Sequence, residues 1–170
     1  MRLAAVIALA LLAPLLPARA ENPWDLGKKA VGGAAVGKVE KEVNKRLLEE
    51  SRKNQCAFKS DSDQLEKGCD KKARRLADAM VSAKKRLEAA GVRSYKFEVS
   101  GHTDTSGSAA HNQELSAKRA TRMKRELVAK GIPEGDVVAV GMGAERPLVA
   151  HDDTPAKKAK NRRYEVRVKL

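Results

Sequence analysis

The sequence predicts an α+β or α/β sandwich in which two main helices cover one face of a mixed sheet. Between residues 56 and 170, short stretches of alternating apolar and polar residues take turns with two longer stretches. Alternation is the period of a half-buried strand, and the longer stretches repeat their apolar residues every three or four positions, as helices do. The order along the chain is βαβαβ(α)β, preceded by an N-terminal helical extension.

The first twenty residues have the features of a secretory signal peptide. Met1 and Arg2 give a positive start, residues 3–16 are almost wholly apolar, and Ala18-Arg19-Ala20 has the small-x-small pattern of a cleavage site. The apolar run is too short for a lasting membrane anchor, and no later run reaches the ~20 residues that a membrane helix needs. We therefore expect export of the remaining 150 residues.

The charge of the chain favours anionic partners. Its net charge of +13 falls to +11 when Arg2 and Arg19 leave with the signal. Nucleic acid, lipid headgroups and wall polymers all suit such a balance, and export makes nucleic acid the least suitable of the three.

Residues 21–55 predict a linker followed by an amphipathic helix. A single apolar stripe at helical spacing is formed by Val36, Val39, Val43 and Leu47. One interpretation is a helix docked on the domain. The other is a helix that associates with itself, with an envelope protein or with a membrane surface. We expect the segment to lie outside the folded module, which then spans 56–170.

The first half of the module predicts a strand, a helix and a strand. Ala57-Phe58 is a brief apolar start, predicted as a short first strand. Residues 70–90 predict the first main helix, which Gly91 ends in a left-handed conformation. The alternation of apolar and polar residues from Tyr95 to Val99 predicts the second strand.

The second half repeats this order. Ser108 is placed to cap a second main helix over about 109–130. A third strand is predicted over 137–140, a helical turn over 156–161 and a last strand over 164–168.

Two cysteines, Cys56 and Cys69, flank the predicted first strand. An even cysteine count in an exported protein predicts a disulfide between them. The alternatives are two free buried thiols or a redox-active pair, although the spacing is not Cys-x-x-Cys.

The loop at 101–107 and the helix after it carry the most informative polar residues. Asp104 is the only acid of the loop. Asn112, Leu115 and Arg119 share one face of the helix, because three, four and seven are helical repeats. A carboxylate and a guanidinium beside one groove could grip a ligand that carries an ammonium and a carboxylate. The alternative is a solvated loop Asp and a surface Arg.

Three segments resemble the OmpA-like peptidoglycan-binding domain family, which includes the peptidoglycan-associated lipoprotein and MotB. They are SGHTDTSG at 100–107, GMGAERP at 141–147 and NRRYEVRV at 161–168, with HN, LS and RA on the helix between the first two. The resemblance covers about 56–170 and implies an OmpA-like sandwich. The sequence departs from the family at Cys56–Asp61, where members often have a Phe-Asp-Phe-like strand.

The resemblance implies a binding protein of the periplasm and outer envelope of a Gram-negative bacterium, not an enzyme. Its ligand is the diaminopimelate of the peptidoglycan stem peptide, whose binding anchors the protein and the outer envelope to the wall. By resemblance, Asp104 takes the ligand's ammonium and Arg119 its carboxylate. Further pocket residues implied in the same way are Thr105, Gly107, Asn112, Leu115 and Arg162.

Other functions remain open at this point. A charge-driven binder of anionic envelope polymers needs only the +11 charge, and its binding weakens steeply with salt. A wall hydrolase lacks the expected nucleophile and zinc motifs. The spacing of His102, His111 and His151 is not a ligand motif, so we expect no metal and no cofactor, and we expect His102 to support the loop.

Overall fold

The described part of the chain contains four α-helices, one 3₁₀ turn and three strands. The computed structural model describes residues 33–59 and 61–170. The elements are α1 (Gly33–Lys53), α2 (Cys69–Ala89), β1 (Lys96–His102), α3 (Ala109–Ala129), a 3₁₀ turn (Glu134–Asp136), β2 (Val137–Gly141), α4 (Pro155–Asn161) and β3 (Arg163–Lys169). This confirms the α+β class, and α2 and α3 begin and end within one residue of their predicted ranges.

The three strands form a mixed sheet in the order β2-β1-β3. β1 runs parallel to β2, with Phe97 opposite Val137, and antiparallel to β3, with Val99 opposite Val166. One face of the sheet is apolar, and its side chains join those of α2 and α3 in one core. The central position of β1 therefore carries its following loop, with Asp104, to the middle of one end of the sheet.

Two glycines let α3 lie directly on the sheet. A Cβ atom built on Gly101 would lie 2.2 Å from the Ser116 carbonyl oxygen, and one on Gly141 would lie 2.8 Å from the Ala117 nitrogen. Any larger residue at either position would force the helix away from the strands. This close approach fixes the distance between the loop after β1 and the first turns of α3.

The outer edge of β3 is covered by α1. Three polar side chains bond to the backbone of every second residue of β3: Asn44 with Val168, Ser51 with Val166, and Gln55 with Tyr164. An edge strand otherwise presents unpaired N–H and C=O groups to other chains. α1 and Gln55 just after it thus bond to most of the backbone groups that a fourth strand would have paired.

The predicted first strand is corrected by the structure. Phe58 forms only an isolated antiparallel bridge with Leu65, next to a 2.9 Å hydrogen bond from Lys59 N to the Gln64 carbonyl oxygen. Since α1 occupies the free edge of β3, this segment pairs with itself across a short turn instead of joining the sheet.

The apolar stripe of α1 lies in the common core. Val36, Val43 and Leu47 are each at most 3% exposed, and Val39 packs against the same cluster. This packing agrees with the docked helix, and it buries the apolar face that an envelope partner or a membrane surface would have needed. The division into a linker and helix at 21–55 and a module at 56–170 stays a prediction, and the described part of 21–55 packs on the core of the module. The signal at 1–20 and the linker at 21–32 lie outside the described residues.

Cys56 and Cys69 form the predicted disulfide, with their Cα atoms 5.0 Å apart. The bridge fastens the segment before Phe58 to the first residue of α2. Cys56 N also donates to the hydroxyl of the buried Tyr164 at 3.2 Å, so the disulfide is tied to β3. Within residues 33–59 and 61–170, no helix is both long and apolar enough to cross a bilayer.

Candidate functional site

A cleft of about 820 Å³ opens where the loop after β1, the first turns of α3, the end of α4 and the segment 55–58 meet. It brings together most of the residues predicted for the site, namely Asp104, Gly107, Asn112, Leu115, Arg119 and Arg162. Thr105 is the exception, because its N–H and hydroxyl groups donate to Asp152, which does not line the cleft. The four elements are far apart in sequence, so only the fold assembles the cleft.

Asp104 lies in this cleft as a buried carboxylate, 8% exposed. Its Oδ2 accepts from Arg162 Nη1 at 2.7 Å, and its Oδ1 accepts from Ser106 N at 2.9 Å. Burial pushes the pKa of Asp104 upward, but the hydrogen bonds from Arg162 and Ser106 outweigh it and hold the pKa below the usual aspartate value. Asp104 is therefore a charged group at neutral pH, ready to attract a cation.

Arg119 is also buried, at 6% exposure, which excludes the surface Arg of the alternative interpretation. Its guanidinium carbon lies 5.1 Å from the centre of the Phe58 ring, and its Nε donates to the Ser62 carbonyl oxygen at 2.9 Å. Burial and the charge of Arg162 lower the pKa of Arg119, yet a guanidinium starts from so high a value that it stays protonated at neutral pH. The ring and the carbonyl hold a planar, charged fork in the cleft.

The loop after β1 is held in place by a residue that the sequence did not single out. Asp152 is 4% exposed, and its two oxygens accept from the backbone N–H and the hydroxyl of Thr105. Asn161 donates to the same carboxylate at 3.0 Å. Hydrogen bonds from Thr105 and Asn161 lower the pKa of Asp152 to about 2. Thr105 thus contributes to the site by anchoring the loop and not by lining the cleft.

The start of α3 is capped as predicted and holds the other side of the loop. Ser108 Oγ accepts from His111 N at 3.2 Å. Asn112 Nδ2 donates to the Asp104 carbonyl oxygen at 3.4 Å, and Gly107 takes a positive φ of 85° that permits the tight turn into the helix. Half-buried Leu115 supplies an apolar patch between the polar groups.

Further polar residues line the cleft without having been predicted. Lys158 Nζ donates to Ser106 Oγ at 2.9 Å, and His111 Nε2 lies 2.7 Å from Asp61 Oδ1. Lys158 on α4 stands four residues before Arg162, the residue that follows the helix, and this helical spacing is the one local signal that could have marked it.

The histidines do not form a metal site in the described part of the chain. No group of three or more His, Cys, Asp or Glu side chains there is placed to hold a metal ion. His102 ends β1 just before the loop and is 3% exposed, with no hydrogen bond to either ring nitrogen among the described residues. Burial and the charge of Arg163 lower its pKa to about 4, so it is neutral at physiological pH.

Comparison with known proteins places these features in one family. A sequence model of the OmpA family matches residues 57–162. Outer membrane porin F of Pseudomonas fluorescens is 49% identical over 71 residues, which is 42% of this chain and 22% of that protein. Outer membrane protein A of Klebsiella pneumoniae is 44% identical over 79 residues, 42% of this chain and 23% of that protein. Peptidoglycan-binding protein ArfA of Mycobacterium tuberculosis is 41% identical over 71 residues, 42% of this chain and 22% of that protein.

Solved structures give the same fold. The peptidoglycan-associated lipoprotein of Burkholderia pseudomallei aligns with a TM-score of 0.55 and 23% identity, covering 68% of this chain and 89% of that one. A putative MotB-like protein of Desulfovibrio vulgaris aligns with a TM-score of 0.57 and 19% identity, covering 85% of this chain and 95% of that one. The curated relatives are much longer, since the matched segment is about a fifth of their length.

Proposed function

Because this chain belongs to the OmpA family, we propose that it binds peptidoglycan non-covalently through the cleft between α3 and α4. A relative from Mycobacterium tuberculosis carries the name of a peptidoglycan-binding protein. Domains of this kind bind their ligand and do not catalyse a reaction on it. Binding would anchor the protein, and whatever it touches in the envelope, to the cell wall.

The observation that carries this proposal is the pairing of two buried, charged groups in one cleft. Asp104 is 8% exposed and Arg119 is 6% exposed, and each is oriented by neighbours that are themselves part of the cleft wall. Charge-assisted hydrogen bonds are the strong ones, and a preorganised fork and carboxylate can each make one to a zwitterionic ligand. We propose that Asp104 takes the ammonium and Arg119 the carboxylate of the ligand.

This charge pattern supports one ligand class, a zwitterionic amino acid. A free ammonium and a free carboxylate on one carbon centre are what the diaminopimelate of a stem peptide offers, and the resemblance to the family points to the same group. Gly107, Asn112, Leu115 and Arg162 line the rest of the proposed pocket. The proposed setting is the bacterial envelope outside the cytoplasmic membrane, reached through the signal predicted at 1–20.

The test is co-sedimentation of the mature protein with purified cell-wall sacculi at physiological salt. Asp104→Asn keeps the shape of the side chain and removes its charge, and Arg119→Lys keeps the charge and removes the fork. We expect each change to weaken binding about tenfold or more, and free diaminopimelate to release the parent protein from the wall. Lys118→Gln, next to Arg119 on the exposed side of α3, is the matched control.

Two results separate this proposal from binding by charge alone. Folded Asp104→Asn and Arg119→Lys proteins that sediment like the parent would refute the pocket. Binding that disappears steeply with added salt and ignores free diaminopimelate would favour the charge-driven binder of anionic polymers. Circular dichroism of each variant is the folding control, since Arg119 also contacts Phe58 and Ser62.

A further inference from the structure

Lys158 is a cation in the cleft that the proposed zwitterion does not use. Its side chain is half-buried and lines the cleft, and its Nζ donates to Ser106 Oγ at 2.9 Å. Ser106 N in turn donates to the Asp104 carboxylate. Ser106 therefore contacts both Lys158 and Asp104, and it links Lys158 to the proposed ammonium site. Within the described residues, Lys158 makes no ion pair with a carboxylate.

The charges of the cleft are divided between its walls. The charged residues of the α4 wall are Lys158 on the helix and Arg162 just after it, and Arg162 is already paired with Asp104. The two other acids that line the cleft, Asp61 and Glu66, belong to the segment between the cysteines, and Asp61 is paired with His111. Among the described residues, the Lys158 ammonium therefore has no directly paired carboxylate. Its charge acts on Asp152 from beyond ion-pair distance, and the Asp152 oxygens already accept from Thr105 and Asn161.

We propose that Lys158, together with the Ser106 hydroxyl, forms a second anion subsite that takes the glutamyl α-carboxylate of the same stem peptide, which is called the second carboxylate below. This inference rests on the proposed function, because it assumes that the zwitterionic centre is held by Asp104 and Arg119. The Lys158 ammonium pairs with the second carboxylate, and the Ser106 hydroxyl turns to donate to it. The protein thereby distinguishes stem peptides whose second carboxylate is free from those in which it is an amide.

An amide is a weaker partner than the carboxylate at this subsite. Its carbonyl oxygen can still accept from the Lys158 ammonium, but it carries no charge, and its NH₂ group cannot accept from Lys158 or Ser106. The rest of the ligand is unchanged by amidation, so the two forms differ in this one contact. The contact is at the rim of the cleft and partly solvated, which limits its effect to roughly three- to tenfold in affinity.

The experiment compares two synthetic ligands by isothermal titration calorimetry. One is the tripeptide L-alanyl-γ-D-glutamyl-meso-diaminopimelate, and the other is the same tripeptide with the glutamyl α-carboxylate as a carboxamide. Three proteins are titrated: the full mature parent, Lys158→Gln, and the matched control Lys160→Gln. Lys160 lies on the same helix but is exposed and outside the cleft. Lys158→Gln and Lys160→Gln therefore each lose one positive charge, but only Lys158→Gln removes a residue of the proposed subsite.

We expect the parent and Lys160→Gln to bind the free-acid peptide three- to tenfold more tightly than the amide. Lys158→Gln should bind both peptides alike, near the affinity of the parent for the amide. A parent without preference, or a Lys158→Gln protein that keeps the preference, overturns the subsite while leaving the zwitterion pocket standing. If neither peptide binds the parent, the proposed function itself fails, and the subsite fails with it.

Discussion

Arg162 Nη1 lies 2.7 Å from Asp104 Oδ2, and this contact keeps a nearly buried carboxylate charged. Asp104 is 8% exposed, so burial alone would raise its pKa, yet its pKa lies below the usual value of 3.8. The same carboxylate also accepts from Ser106 N. Arg162, which is half-exposed, is thus both a wall of the cleft and the group that sets the charge of the proposed ammonium site.

Replacing Arg162 by Gln should raise the pKa of Asp104. Without the guanidinium, burial is opposed only by the hydrogen bonds from the Ser106 backbone and side chain, so the lowering of the pKa should shrink. An NMR titration of the Asp104 carboxyl carbon measures this directly, with a higher midpoint in the variant than in the parent. Lys160→Gln on the same helix should leave the midpoint unchanged.

The consequence for wall binding has a definite sign. A lowered pKa means that Asp104 loses its charge only as the pH falls through a value below 3.8. Parent binding should persist to about pH 4, and the variant should begin to lose binding at a higher pH. Equal midpoints in the two proteins would show that Arg162 does not set the charge of Asp104.

What the sequence could predict of the site follows from spacing. Asn112, Leu115 and Arg119 share a helical face, and the structure places all three on the cleft together with Asp104. Asp152 was missed because it lies 47 residues from Thr105, in a loop with no periodic pattern. A local sequence pattern cannot predict which distant carboxylate will accept a hydrogen bond from a loop hydroxyl.

The first strand was mispredicted for a related reason. Two apolar residues, Ala57-Phe58, indicate burial but do not predict which strand they pair with. In the structure, α1 already occupies the free edge of β3, so no sheet edge is left there for this segment. The polar residues that occupy it, Asn44, Ser51 and Gln55, stand at spacings of seven and four. That is a helical period, so a polar line beside the apolar stripe was the available signal for a docked helix.

Removing the side chain of Asn44 should destabilise the fold. Asn44 Oδ1 accepts from Val168 N at 2.7 Å, and Asn44 Nδ2 donates to the Val168 carbonyl oxygen at 3.1 Å. Asn44→Ala leaves both backbone groups without these partners, at a cost of about 1–3 kcal/mol in the free energy of unfolding. Urea unfolding followed by circular dichroism measures it, and exposed Lys45→Ala is the neighbouring control.

A truncation tests the same helix more severely. A chain that starts near Asn54 loses the buried Val36, Val43 and Leu47, and it exposes the edge of β3. We expect this truncated protein to be unfolded or aggregated at room temperature, because burial of the three side chains contributes on the order of several kcal/mol. A stable truncated protein that still binds sacculi would support the boundary predicted at residue 56.

Buried His102 should make the folded protein sensitive to mild acid. Its pKa is lowered by burial and by Arg163 to about 4, against 6.5 in an unfolded chain, so the unfolded state binds the proton more tightly. The stability from neutral His102 is complete above about pH 6.5 and is lost as the pH falls toward 4. The loss is at most about 3 kcal/mol.

Urea unfolding at a series of pH values between 4 and 7 measures this slope. His102→Gln removes the titrating group. The free energy of unfolding of this variant should be lower than that of the parent at neutral pH and should depend less on pH over that range. The carboxylates with lowered pKa values, Asp104, Asp152 and Glu165, add to the slope only below about pH 5, where their unfolded-state carboxyls begin to bind protons. The slope between about pH 5 and pH 7 is therefore the part that reports His102. A variant that keeps the full slope of the parent would assign the acid sensitivity to other groups.

Asp152 should act on ligand binding through the loop, without touching the ligand. It is 4% exposed, does not line the cleft, and accepts three hydrogen bonds that tie Thr105 to Asn161. Asn161 in turn accepts from Leu148 N at 2.9 Å, so one carboxylate connects three segments around the site. Its pKa of about 2 keeps this tie intact through the whole range in which the wall can be assayed.

Asp152→Ala releases the loop that carries Asp104, and ordering it again on binding costs free energy. We expect wall binding to weaken about three- to tenfold, with the midpoint of thermal unfolding lowered by only a few degrees. Adjacent, exposed Asp153→Asn is the matched control, because it loses the same charge and only the surface pair with Lys157.

Thr105→Val distinguishes positioning from a general loss of stability. It removes the hydroxyl that donates to Asp152 and keeps the backbone N–H, so it should reproduce part of the Asp152→Ala defect in binding. Because the two residues share one contact, the double variant should bind little worse than Asp152→Ala alone. Fully additive losses in sacculus co-sedimentation would mean that Asp152 and Thr105 act independently and that the tie between them does not hold the loop.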